Sequence, residues 1–167
     1  MAGGIPILVH NTGDACKPAY VWRPNRPFVN DHPQDPVSAD ALIKPGEPLA
    51  AGDYVYVVKR DGSLAAALED NVVNFGSPRL NGGHTSLSAD LGAGESPAPV
   101  LMAGRFTADE NGRITMFDND SGHYHPGYDA WEYDPEAYMP LEDVARQAFE
   151  GFGLPAPGSD AWDPYVP

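Results

Sequence analysis

The clearest apolar run is Asp53-Tyr54-Val55-Tyr56-Val57-Val58-Lys59, rich in β-branched and aromatic residues and followed by Asp61-Gly62. Such a run predicts a core strand entering a turn. From Ser63 to Asp70 the alanines favour helix, whereas the position after Asp-Gly favours the return strand of a hairpin, and both readings stay open. Two more strand-like runs, 99–107 and 113–118, flank Ala108-Asp109-Glu110-Asn111-Gly112, and Asn-Gly supplies the positive φ of a hairpin turn. Leu141, Val144, Ala145, Ala148, Phe149 and Phe152 then fall on one helical face. Pro140 suits the first turn, Glu142 and Asp143 suit the positive end of the dipole, and Gly151 or Gly153 can end the helix. The expected class is α+β: a small, twisted, mainly antiparallel sheet with a C-terminal helix packed on it and a proline-rich N-terminal arm.

Prolines 18, 24, 27, 33, 36, 45 and 48, with Tyr20, Trp22 and Phe28 among them, forbid a long helix and favour extended or polyproline-like chain that packs down, either as a linker or as an arm that wraps the domain. The expected organisation is an arm at 1–48, one domain at 49–154 and surface coil at 155–167. With 167 residues the chain suits a single domain, and 18 glycines with 18 prolines predict short elements and many loops. Twenty-four acidic against ten basic residues give a net charge of −14, which disfavours nucleic acid without excluding it. Cys16, the one cysteine, excludes an internal disulfide and any Cys-x-x-Cys zinc site. No run of about 18 apolar residues predicts a membrane span, so no membrane partner is expected.

The candidate chemistry lies between Asn81-Gly82-Gly83-His84-Thr85-Ser86-Leu87 and Asn119-Asp120-Ser121-Gly122-His123-Tyr124-His125-Pro126, which hold three of the five histidines. Both stretches read as polar, glycine-flanked turns, where a ligand can approach the backbone. The intervening hairpin is expected to bring His84 and His123 together. The candidate pocket comprises His84, Ser86, Ser121, His123 and Tyr124, with His84, His123 and Ser121 as catalytic candidates. A metal held by His123, His125 and the carboxylates of Asp118, Asp120 and Asp129 is the weaker alternative, and no metal is expected.

Two resemblances extend this reading. Leu8-Val9-His10-Asn11-Thr12 resembles the Val-His-Asn junction that precedes the C-terminal toxin domain of bacterial polymorphic toxins. The block from His84-Thr85-Ser86-Leu87 through Ala103-Gly104 to Ser121-Gly122-His123-Tyr124-x-Pro126 resembles plant IQ-motif calmodulin-binding proteins. It is also similar to the catalytic part of OspC/CopC-type effectors, which use NAD to ADP-riboxanate arginine. The resemblance implies NAD as substrate, with His84, Ser86, His123 and Tyr124 around it and Tyr124 as a flat face. The cofactor-binding set is accordingly His84, Ser86 and Tyr124. Many relatives carry Glu after Ala-Gly, whereas this chain has Arg105, which leaves Glu132, Asp129 and Asp120 as candidate acids. There is no IQ motif, so calmodulin dependence is not implied.

The leading expectation is therefore a toxin domain, delivered by a larger secreted protein into a target-cell cytoplasm, that ADP-ribosylates or ADP-riboxanates a target protein. A cognate immunity protein would be its second partner. The alternatives are a metal-independent ribonuclease with a His84/His123 acid-base pair and a non-enzymatic protein-binding module.

Overall fold

A computed structural model of the chain describes residues 28–29, 36–72, 83–88, 98–122, 124–126 and 138–165. Strand β1 (Gly52–Lys59) is the run that the sequence marks most strongly, and β2 (Leu64–Leu68) returns antiparallel to it. The turn between them is fixed by Gly62 at φ 85° and by Asp61 Oδ1, which accepts the Ser63 N–H at 2.9 Å. The Ser63–Asp70 ambiguity resolves into both alternatives, for β2 gives way directly to a short helix, α1 (Glu69–Val72). A second short helix, α2 (His84–Ser88), precedes the expected hairpin of β3 (Val100–Ala108) and β4 (Ile114–Phe117). In that hairpin turn Asp109 Oδ1 accepts the N–H groups of Asn111 and Arg113, and Gly112 sits at φ 71°. The last helix, α3 (Tyr138–Phe152), contains the predicted helical face.

The sheet order is β2-β1-β3-β4, with every neighbouring pair antiparallel, so the fold is α+β as the patterning implied. Period-two alternation sends Tyr54, Tyr56, Val58, Met102 and Phe106 into one core with Val144, Ala145, Ala148 and Phe149 of α3. Val55, Val57, Ala65, Ala67 and Ala103 form the other core with Leu87 of α2 and Tyr124.

Each sheet edge is met by a bridging segment. Leu42 bridges Ala67 on the β2 side, and the Ile43 N–H donates to Ala66 O at 2.9 Å. On the β4 side, Trp162 bridges Phe117, whose N–H donates to Ala161 O at 2.8 Å and whose carbonyl accepts the Asp163 N–H at 2.9 Å. The segment expected to be plain C-terminal coil thus supplies an edge pairing. Arg146 holds its approach: Nη1 and Nη2 donate to the Pro157 and Gly158 carbonyls at 2.7 and 2.9 Å, while the guanidinium lies 5.0 Å from the Phe117 ring centre.

Candidate functional site

The first polar stretch is helical rather than an open turn. His84 to Ser88 form one helical turn with all five residues buried, opened by Gly83 at φ 42°. His84, 7% exposed, donates from Nε2 to the Gly104 carbonyl of β3 at 2.8 Å, so Nε2 carries its proton. Ser86 is 1% exposed, and its carbonyl accepts the Val37 N–H at 3.1 Å. Its Oγ has no hydrogen-bond partner among the described residues.

The second stretch is a tight turn capped by Ser121. Ser121 Oγ accepts the Tyr124 N–H at 3.2 Å, and its carbonyl accepts the His125 N–H at 2.8 Å. His125 takes a positive φ of 49°, uncommon for a residue with a Cβ. The two stretches meet through hydroxyls: Tyr124 Oη and Ser88 Oγ are 2.5 Å apart. Tyr124 Oη also reaches Ala98 O at 2.9 Å, and Ser88 Oγ reaches Thr85 O at 3.0 Å. Two hydroxyl protons thus serve three contacts in a buried site, and burial raises the Tyr124 phenol above its ordinary pKa despite the Ser88 bond.

Of the candidate pocket, His84, Ser86, Ser121 and Tyr124 are 7, 1, 4 and 2% exposed. Tyr124 is joined to α2, His84 is joined to β3, and Ser121 shapes the turn that presents Tyr124. His123 lies outside the described residues, as do the candidate acids Asp129 and Glu132. Among the described residues no three His, Cys, Asp or Glu side chains are grouped to hold a metal.

The open space lies one residue along β3 from the His84 contact. An open cavity of about 340 Å³ is lined by Arg105, Asp118, Asp120, Asp163, Pro164 and Tyr165. Gly104 makes it possible, since a Cβ there would collide with the Asp118 carbonyl and crowd Asn119 Cα at 3.1 Å. The chain leaving β4 can therefore lie against β3. Asp118 Oδ1 accepts the backbone N–H groups of Arg105 at 2.7 Å and Asp120 at 3.0 Å, while Oδ2 lies 3.7 Å from Arg105 Nε. Arg105 Nη2 donates to Asp120 Oδ2 at 2.5 Å.

Burial pushes the Asp118 carboxyl up to about 6, against the two N–H bonds and the Arg105 charge, which pull it down. A carboxyl held near neutrality beside a cavity can exchange a proton with a bound group. Tyr56 closes the cluster from the α3 core, its buried hydroxyl donating to Asp118 O at 2.7 Å.

The sequence offers Asp120 as a possible acid and Asp118 as a metal ligand, with Arg105 a departure from pattern. The hairpin carries the missing signal. Pairing Phe106 with Phe117 puts residue 105 beside residue 118, so an arginine at one position answers an aspartate at the other. Comparison with family models, curated proteins and solved structures finds no match.

Proposed function

We propose that this chain is the catalytic domain of a delivered toxin that consumes NAD to ADP-ribosylate or ADP-riboxanate a target-cell protein. The observation that carries the reading is the cavity in which Asp118, its carboxyl raised to about 6, stands beside Arg105 and Asp120. Three carboxylates against one guanidinium line that space, which disfavours a diphosphate and favours a cationic ring with ribose hydroxyls. The nicotinamide-ribose end of NAD has that chemistry.

In this reading the glycosidic C–N bond breaks and its electron pair leaves with nicotinamide. The carboxylates of Asp118 and Asp120 stabilise the positive charge that develops on the ribose carbon. A nucleophile on the target protein forms the new bond to that carbon and gives its proton to Asp118. Arg105 holds Asp120 in place. His84 acts through Gly104 as a positioning residue, and Tyr124 and Ser88 brace α2 against the 121–125 turn.

The burial of His84, and the engagement of Nε2 with a backbone carbonyl, disfavour the ribonuclease alternative, which needs a histidine open to a 2′-hydroxyl. The same burial of His84, Ser86 and Tyr124 favours a second reading, a protein-binding module whose polar block is structural. Incubating purified protein with NAD and target-cell lysate separates the two. Free nicotinamide and protein-bound ADP-ribose are expected; neither product, with the protein folded, would overturn the NAD reading and favour the binding module.

A further inference from the structure

The chain beyond Trp162 is held in place although it adds little to the core. Trp162 packs on Phe117 with ring centres 5.0 Å apart, and Ala161 is buried. Asp163 and Tyr165 are exposed, Tyr165 by 44%. Even so, the Tyr165 N–H donates to Asn119 Oδ1 at 2.7 Å, across 46 positions of sequence. Asn119 is 1% exposed, and its Nδ2 has no hydrogen-bond partner among the described residues. A buried amide left half satisfied lowers stability, so packing alone does not account for an asparagine there. What its made bond achieves is the placement of residue 165.

That placement completes the cavity. Asp163, Pro164 and Tyr165 line it together with Arg105, Asp118 and Asp120. We propose that the C-terminal segment 161–165 is a substrate-binding wall, with Tyr165 as its specificity-determining residue and Asn119 as the positioning residue that seats it. The wall selects a flat cationic group. An aromatic residue beside an excess of carboxylates offers such a group both cation-π attraction and a favourable field. The inference rests on reading this cavity as the reacting site.

Three full-length variants test it: Tyr165→Ala, Tyr165→Phe, and Tyr165→Pro, which deletes the N–H that Asn119 accepts. The side chain of residue 165 is exposed, so the alanine and phenylalanine variants should keep the wild-type melting temperature, whereas Tyr165→Pro, which leaves buried Asn119 Oδ1 without its donor, should lower it while the protein stays folded. In steady-state nicotinamide release, Tyr165→Ala and Tyr165→Pro should raise KM for NAD about tenfold with kcat nearly unchanged, while Tyr165→Phe stays near wild type. Unchanged KM in the alanine and proline variants of an active protein overturns the wall and leaves the NAD reading standing. If the wild type releases no nicotinamide, the NAD reading fails, and growth arrest on cytoplasmic expression becomes the readout. Arrest lost in the alanine and proline variants but kept in Tyr165→Phe then supports the wall with another flat cationic substrate, and arrest kept in all three overturns it. A wild type with neither activity overturns both.

Discussion

Toward α3, the sheet presents rings that interlock: Tyr54 and Phe106 stack at 4.7 Å, and Phe149 meets Tyr56, Phe106 and Phe117 at 5.3 to 5.5 Å. Toward α2 it presents valines and alanines, and the contacts that fix position are polar, from His84 to Gly104 and from Ser88 to Tyr124. The first face buries the larger side chains, so more of the stability of the fold is expected there. The second uses small side chains so that a single helical turn can lie close to the sheet. Its hydrogen bonds specify geometry more than they add stability. The cavity needs both, because Gly104 receives the His84 bond on its carbonyl while the Asp118 backbone rests against its Cα.

The contrast breaks most visibly at Phe149. Phe149→Ala should destabilise the protein by about 3 to 5 kcal/mol, read from urea unfolding, because it empties the centre of the ring cluster. A loss under about 1 kcal/mol would show that the aromatic face is not the stabilising one.

The next largest effect concerns pH. The folded Asp118 carboxyl titrates at about 6 and its unfolded counterpart near 3.8, so the folded chain holds the extra proton between those values. Its contribution to stability is therefore full below the lower value and is lost as pH rises through the upper one, by at most about 3 kcal/mol. Asp118→Asn keeps an acceptor for the two N–H groups and should remove this slope. A slope that persists in the variant would place the titration elsewhere.

Gly104→Ala should cost about 1 to 3 kcal/mol, since the added methyl must displace backbone rather than a mobile side chain. It should also move the amide resonances of Asp118 and Asn119, and unmoved resonances would contradict the close approach. Tyr124→Phe, the mildest change, should cost about 1 kcal/mol by leaving the Ala98 carbonyl without its hydroxyl. A melting temperature equal to wild type would mean that the polar face adds no stability through this bond.

Much of the aromatic face is legible in the sequence, because it is written in local periodicity. The alternation of Tyr54, Tyr56 and Val58 and the spacing of Val144, Ala145, Ala148 and Phe149 each report a face within one element. The hairpin of β3 and β4 is equally local, being announced by Asn111-Gly112. The polar face depends on contacts far apart in sequence. Nothing near His84 shows that its ring will bond residue 104, and five polar or mixed residues give no period from which to read α2 as helix. Tyr165 meets Asn119 only because Trp162 pairs with Phe117, a parallel contact that no turn signal marks. The Arg105–Asp118 pair lies between these cases, local once the hairpin register is known.

In the proposed reaction Asp118, which lines the cavity with Arg105 and Asp120, takes part in breaking the nicotinamide bond. The most direct test compares nicotinamide release by wild type and Asp118→Asn at neutral pH, with NAD and target-cell lysate saturating and folding verified for both. Asp118→Asn should lower kcat by about a hundredfold or more, the range expected for loss of a positioned acid or base. Release at the wild-type rate by the folded variant would contradict it.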